Sequence, residues 1–231
     1  MNKKYLPALF VALVIGLFAS SEAQATETRA DLVVKVDSCE AIIREFQANP
    51  EIAIPKQVLR AAKGILITNQ FKAGLIFGVR GGYGVVMVKK PNGQWSVPVI
   101  VHASAASLGF QIGARTVETV YVFMQDATPR LLYKARFDVG VTAKAAAGPH
   151  IAEYENYRKP LIDVPVLSYD KTKGLYAGAT VEAAQIIRDD DANYLLYDTQ
   201  YQMPELLYSD WVKPPVEVQP LMQFISQITA P

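Results

Sequence analysis

The stretch GLIFGVRGGYGVVMV, residues 74–88, places five glycines and one arginine among apolar residues. Glycine-rich segments often bind phosphate, but this one contains neither a Gly-x-Gly-x-x-Gly pattern nor a Lys-Ser/Thr pair at P-loop distance. The apolar runs on either side of Arg80-Gly81-Gly82 instead predict two strands joined by a tight turn. The glycines are therefore expected to shape a sheet and not to hold a nucleotide.

The sequence around this stretch predicts a largely antiparallel sheet. Short apolar runs are separated by turn signals, of which Pro91-Asn92-Gly93 is a second clear example. The predicted strands cover residues 64–68, 74–79, 83–88, 95–101, 107–115, 117–124, 137–147, 164–169 and 175–183, with a short helix around 129–134. The expected fold class is α+β, with a glycine-rich twisted sheet or barrel-like core on which N-terminal helices and short C-terminal helices pack.

Helical patterns flank the predicted sheet on both sides. Thr28 and Asp31 fit a capping box, and apolar residues then recur at spacings of three and four, which predicts a helix over residues 28–49 and a shorter one over 55–63. The acidic run at 189–191 is predicted to cap a helix through Tyr197 and not to bind metal, because carboxylates stabilise helix N-termini. Beyond residue 201 we expect a proline-containing appendage that ends in an amphipathic helix over 221–228.

Three of the predicted strands carry two glycines four residues apart, which places both on one face of the strand. These pairs are Gly74 and Gly78, Gly109 and Gly113, and Gly174 and Gly178. Glycine weakens a strand unless another backbone or a ligand approaches closely. The smooth face is therefore expected either to pack against another layer of the protein or to hold a long ligand such as an acyl chain.

The first residues have the features of a signal peptide. Lys3 and Lys4 precede an apolar run over residues 6–19, and Ala23-Gln24-Ala25 supplies small residues for cleavage. The run is shorter than the roughly 20 apolar residues that span a bilayer, so we expect cleavage after Ala25 and an exported, periplasmic or secreted protein. The predicted organisation is a signal peptide over 1–25, an N-terminal helical segment over 26–54, the main domain over 55–200 and the tail over 201–231.

Charge and cysteine content narrow the possible functions. The formal net charge is +1, and the chain that follows residue 25 is formally neutral, so nucleic acid is not expected as a partner. The single cysteine, Cys39, lies well after the predicted cleavage site and so is not the acylated first residue of a lipoprotein. It has no intrachain disulfide partner, and we expect a buried, inert thiol.

A catalytic site is not expected. The chain has two histidines, His102 and His150, and neither lies at metal-ligand spacing from the other or within a known catalytic motif. The sequence therefore predicts no catalytic residue, no metal ligand and no cofactor, and a hydrolase is the least favoured class.

Taken in order, several motifs of the chain resemble the SYLF domain family, which is found in bacterial exported proteins and in eukaryotic proteins that join lipid membranes to the actin cytoskeleton. The motifs span about residues 55–198 and comprise residues 62–65, 72–78 with 80–82 and 84, 95–98, 107–113, 146–149, 167–169, 174–178 and 191–193 with Tyr197. The resemblance implies a non-enzymatic lipid-binding module, with phosphoinositide and actin binding ascribed to eukaryotic members. Actin is not expected as a partner of an exported protein.

The predicted function is binding of an anionic phospholipid or another amphiphile in the cell envelope. Such binding needs apolar surface with cations beside it. The candidate residues around the glycine-rich sheet are Lys63, Phe71, Lys72, Gly74, Gly78, Arg80, Gly109 and Gly113. The alternative is a protein-interaction or structural envelope module, because tyrosine is enriched at interfaces and the chain offers Tyr154, Tyr157, Tyr194 and Tyr197.

The signal-peptide prediction is tested by the intact mass of the protein recovered from its native host. We expect a chain that begins at Thr26 with a free amine and no lipid. A mass that includes residues 1–25, or that carries an acyl group, would contradict it.

Overall fold

The computed structural model describes residues 27–74, 77–133, 136–139, 145–147 and 165–231, with the backbone alone described at 74, 77–80, 105–114, 131–132, 136–139, 145–147 and 172–184. The predicted signal peptide, His150, Tyr154 and Tyr157 lie outside the described residues. The helices are α1 (Arg29–Ala48), α2 (Lys56–Ala61), α3 (Asp190–Tyr197), α4 (Met203–Tyr208) and α5 (Gln219–Ile228), with 3-10 helices at Pro129–Tyr133 and Val216–Val218. The strands are β1 (Gly64–Gly74), β2 (Phe77–Val88), β3 (Val99–Phe123), β4 (Arg136–Val139), β5 (Ala145–Ala147) and β6 (Val166–Arg188).

Helix α1 begins where the sequence predicts. The Thr28 Oγ1 accepts a hydrogen bond from the Asp31 N–H at 3.3 Å, and the Asp31 carboxylate accepts one from the Thr28 N–H at 2.9 Å. One stripe of the helix is buried against the sheet, formed by Leu32, Val36, Cys39, Ile42, Ile43 and Phe46. Burial raises the pKa of the Cys39 thiol to about 12, which confirms that this cysteine is buried and inert.

The central feature of the sheet is that β3 pairs with both strands of the β1–β2 hairpin. Residues 99–108 of β3 pair with β2, residues 113–123 pair with β1, and both pairings are antiparallel. Because β1 and β2 are themselves antiparallel, the two halves of β3 run in opposite directions. Strand β3 therefore folds over the hairpin.

Strand β6 follows β3 through this bend. Its antiparallel register continues from Val101 opposite Arg188 to Phe123 opposite Val166. The short strands β4, antiparallel, and β5, parallel, pair with β6. The α+β fold with a mainly antiparallel sheet is confirmed, and the described strands form an open sheet and not a closed barrel.

The predicted turn at Arg80-Gly81-Gly82 is wrong, because β2 runs through it. Gly81 pairs with Phe71 and Gly82 with Gln70 of β1. A Cβ atom at Gly82 would lie 2.0 Å from the Asn69 carbonyl oxygen, so this glycine permits close approach of the two strands. The breaks predicted within β3 and β6 are also wrong, since both strands are continuous through these residues. The turn at 91–93 is confirmed, with Gly93 at a φ of +84°.

The two faces of the sheet bury different cores. On the helix-covered face, Ile65 and Ile67 of β1 join a cluster with residues of α1, α3 and α5. On the opposite face, which we call the folded face, Leu66 joins Val86, Phe123 and other strand residues against Met203, Leu206 and Leu207 of α4. The tail beyond residue 201, expected as an appendage, supplies Val218, Leu221 and Ile225 to the first core.

Three buried hydrogen bonds hold the C-terminal helices on the sheet. The Asn193 amide accepts from the Ile100 N–H and donates to the Ile100 carbonyl, both at 2.8 Å, and so extends the ladder of β3 beyond β6. The Trp95 Nε1 donates to the Thr229 Oγ1 at 2.8 Å at the end of α5. These bonds fix the α3 and α5 helices to one end of the sheet.

The glycines of β2 offer a matched test of this packing. We expect Gly82→Ala to destabilise the protein by about 2 kcal/mol or more, because the new methyl group would collide with the β1 backbone. Gly81→Ala meets no atom within 4 Å and should change the free energy of unfolding by less than about 0.5 kcal/mol. Denaturant unfolding of both variants measures the difference, and equal stabilities would contradict the register.

Candidate functional site

The predicted glycines gather at one end of the sheet, which we call the glycine end. Gly74 pairs with Gly78 on β2 and with Gly113 on β3. Strand β3 leaves β2 after Leu108 and meets β1 at Gly113, so the bend that contains Gly109 lies at the tip of the hairpin. Gly178 of β6 pairs with Gln111 of this bend. Glycines from all three pairs of the sequence thus lie in one region, where β3 and β6 bend at the end of the β1–β2 hairpin.

Next to the glycine end, three cationic residues occupy one level of the sheet. Lys72 of β1 lies directly opposite Arg80 of β2 and directly opposite Arg115 of β3. Residues that pair directly across antiparallel strands share a face of the sheet. We call Arg80, Lys72 and Arg115 the cation row.

Two members of the cation row were candidates from the sequence, and Arg115 was missed. Only the long-range register of β1 with β3 places Arg115 opposite Lys72, and local sequence patterns do not reveal that register. Lys72 was expected at the surface, yet its side chain is fully buried on the folded face. The cation row thus brings Lys72 and Arg80 together and sets Lys72 below the surface.

The folded face becomes polar as β1 approaches the glycine end. Leu66 belongs to the apolar core, whereas the next residues of β1 on the same face, Thr68 and Gln70, are buried polar groups. Across the sheet, the Thr119 hydroxyl donates to the Asp170 carboxylate at 2.6 Å. This polar gradient ends at Lys72, so positive charge is concentrated at the level where the glycines begin.

Phe71 places an apolar ring at the same end of the sheet. It is the neighbour of Lys72 in β1 and is 58% exposed. It points to the helix-covered face, since successive strand residues alternate. The glycine end therefore combines the buried Lys72 and the half-buried Arg115 with an exposed aromatic ring.

Lys63 does not belong to this group. It directly precedes β1 at the opposite end of the strand, about 30 Å from Lys72 at the usual rise per strand residue. Its Nζ lies 3.7 Å from the Asp126 carboxylate. The three cations predicted together thus fall in two separate places.

His102 has a partner that the sequence did not reveal. Its Nε2 lies 2.9 Å from the Asp189 carboxylate, and this hydrogen bond raises the pKa of His102 above its ordinary value. Burial would raise the pKa of Asp189, but hydrogen bonds from His102 and the Ala192 N–H lower it. Asp189 is the N-cap of α3, as predicted for the acidic run. The pair therefore joins the start of α3 to β3.

The two described tyrosines of the alternative interface are both half-buried. Tyr197 is half-buried and its hydroxyl donates to the Pro98 carbonyl. Tyr194 is half-buried on the same helix. A more exposed aromatic pair lies in the tail, where Tyr201 meets Trp211 edge to face with ring centroids 6.5 Å apart.

Within the described ranges, no cluster of three or more histidine, cysteine, aspartate or glutamate side chains is arranged to hold a metal ion. None of the described helices has the length and apolar character needed to cross a bilayer.

Comparison with known proteins agrees with the resemblance to the SYLF domain. Residues 104–228 match the Ysc84 family, described as "Las17-binding protein actin regulator". The chain is 27% identical over 194 residues to SH3 domain-containing YSC84-like protein 1 of Rattus norvegicus, covering 81% of this chain and 57% of that protein. It is 31% identical over 175 residues to LAS seventeen-binding protein 3 of Saccharomyces cerevisiae, covering 74% of this chain and 38% of that protein.

The chain thus spans little more than half the length of the first of these relatives and less of the second. No solved structure matches the chain significantly. The family match covers the folded-over part of β3, β6 and the C-terminal helices that pack on them. The chain belongs to the Ysc84 family of SYLF domains.

Proposed function

We propose that this protein is a non-enzymatic module that binds anionic phospholipids or similar amphiphiles at the glycine end. The observation that carries the proposal is that the cation row, the glycines and the exposed Phe71 lie at one end of the sheet, with Lys72 on the folded face and Phe71 on the helix-covered face. An anionic amphiphile presents a charged headgroup and apolar chains, so it needs both features within a short distance.

The electrostatic part of the proposal follows from the register. Like charges directly opposite each other in a sheet are unfavourable, and the register brings three cationic residues to one level, where an anion would be attracted. Lys72 is buried, so a headgroup would meet the half-buried Arg115 at the outer side of the row, with the charge of Lys72 behind it.

The apolar part of the proposal rests on Phe71. An exposed aromatic ring at the end of a strand is a suitable group to enter the interfacial layer of a bilayer. The glycines of the neighbouring strands carry no side chains that would keep acyl groups from the backbone. Export through the predicted signal peptide is part of the proposal, and it would place the module in contact with envelope lipids.

A second candidate is a protein-interaction module. It is favoured by the exposed Tyr201–Trp211 pair, and the printed name of the yeast relative describes a protein that binds another protein. This pair lies next to Asp210, whose carboxylate contacts Lys90 at the end of the sheet opposite the glycine end. The two candidate functions therefore use different surfaces and can be separated by mutation.

Co-sedimentation with vesicles tests the lipid proposal. We expect the parent protein to bind phosphatidylcholine vesicles that contain phosphatidylglycerol more tightly than phosphatidylcholine alone. Phe71→Ser should weaken this binding about tenfold, as expected for loss of most of an aromatic side chain from an apolar contact. The loss should persist at high salt, whereas the loss caused by Arg115→Gln should shrink as salt screens the charges.

Trp211→Ser is the matched control, because Trp211 is 62% exposed, close to the 58% of Phe71, and lies outside the glycine end. It should bind vesicles like the parent. Absence of binding to either vesicle, or an equal loss in Trp211→Ser, would contradict the proposal and favour the protein-interaction module.

A further inference from the structure

A second concentration of positive charge lies at the end of the sheet opposite the glycine end. A pocket of about 660 Å³ there is lined by five cationic side chains and, among its lining residues, one carboxylate, that of Asp126. The cations are Arg60, Lys63, Lys89, Lys90 and Arg130. We call this site the basic pocket.

The ends of three paired strands hold the basic pocket in place. Lys63 directly precedes β1 and Lys89 directly follows β2. The Lys63 N–H donates to the Phe123 carbonyl at 2.7 Å, and the Lys89 N–H donates to the Lys63 carbonyl at 2.9 Å. Arg130 belongs to the 3-10 helix that follows β3. The cations are thus set on a hydrogen-bonded frame and not on one long loop.

Two of the five cations are engaged by carboxylates of the chain. The Lys90 Nζ lies 2.5 Å from the Asp210 carboxylate, and the Lys63 Nζ lies 3.7 Å from that of Asp126. Arg60 donates from Nε to the Ala230 carbonyl at 3.2 Å, which leaves the other donors of its guanidinium. The side chains of Lys89 and Arg130 make no hydrogen bond or ion pair in the part of the chain that the structure describes. The pocket therefore keeps an excess of positive charge.

We propose that the basic pocket binds a phosphate-bearing anion. Its concave shape and its volume of several hundred cubic ångströms fit a small ligand or a headgroup better than a flat protein surface. The planar guanidinium groups of the two arginines can each donate two hydrogen bonds to phosphate oxygens, and the lysines add positive charge around them. The site is distinct from the cation row, because Lys63 and Lys72 lie at opposite ends of β1.

The first experiment titrates the full chain with inorganic tripolyphosphate at constant ionic strength, read by calorimetry. We expect binding that saturates at one equivalent of tripolyphosphate. A nonspecific screening effect of the added anion would not saturate. The double variant Lys89→Gln, Arg130→Gln should weaken binding about tenfold or more, since each lost charge-assisted hydrogen bond contributes on this scale. Neither side chain makes a hydrogen bond or ion pair among the described residues, so the double variant should keep the melting temperature of the parent.

Lys56→Gln, Lys213→Gln is the matched control, since it removes the same charge from two exposed lysines that do not line the pocket. It should bind tripolyphosphate like the parent. An equal loss in both double variants, or no saturable binding by the parent, would overturn the proposal.

A second arm distinguishes the source of the phosphate. Phosphatidylcholine vesicles that contain phosphatidic acid present a phosphomonoester on a membrane. If the pocket takes a lipid headgroup, tripolyphosphate will compete with these vesicles and the Lys89, Arg130 variant will bind them weakly. If the pocket takes a soluble ligand, the variant will lose tripolyphosphate binding but will bind these vesicles like the parent. Tighter binding of an oligoglutamate peptide than of tripolyphosphate would overturn the assignment to phosphate and indicate an acidic protein segment.

Discussion

The pairing of β3 with both strands of the β1–β2 hairpin is the constraint on which the rest of the structure depends. Two antiparallel strands cannot both pair antiparallel to one straight strand, so β3 has to fold over and β6 follows it. Glycines of β1, β2 and β3 lie at this bend. The same bend brings Arg115 to the level of Lys72 and Arg80. A backbone requirement thus creates the charge arrangement that we propose as the lipid site.

The motifs shared with the family explain the fold better than they explain binding. Trp95 and Asn193 hold the C-terminal helices through buried hydrogen bonds, and the Tyr197 hydroxyl is bonded to the Pro98 carbonyl. Arg115 and the cations of the basic pocket other than Lys63 lie outside the quoted motifs.

Local sequence signals predicted the parts of the structure that local interactions determine. The capping box at Thr28, the N-cap at Asp189 and the turn at Gly93 each depend on residues within a few positions of one another. The interpretation of Arg80-Gly81-Gly82 failed because glycine is used both in turns and where strands approach closely, and only the partner strand decides between them. The cation row, the pair of His102 with Asp189 and the basic pocket all join residues distant in sequence, so periodicity and spacing carried no signal for them.

The central claim is that the glycine end of the sheet enters the lipid layer of phosphatidylglycerol vesicles. The most direct measurement attaches an environment-sensitive fluorophore to the cysteine of Ala73→Cys or, separately, of Trp211→Cys. Ala73 is exposed beside Phe71, and Trp211 lies at the other end of the sheet. The native Cys39 is buried with a raised thiol pKa and should stay unlabelled. On addition of phosphatidylglycerol vesicles, the account predicts a blue shift and quenching by nitroxide-labelled acyl chains at position 73 and neither change at 211. The same changes at 211 alone, or at neither position while the protein binds the vesicles, would contradict it.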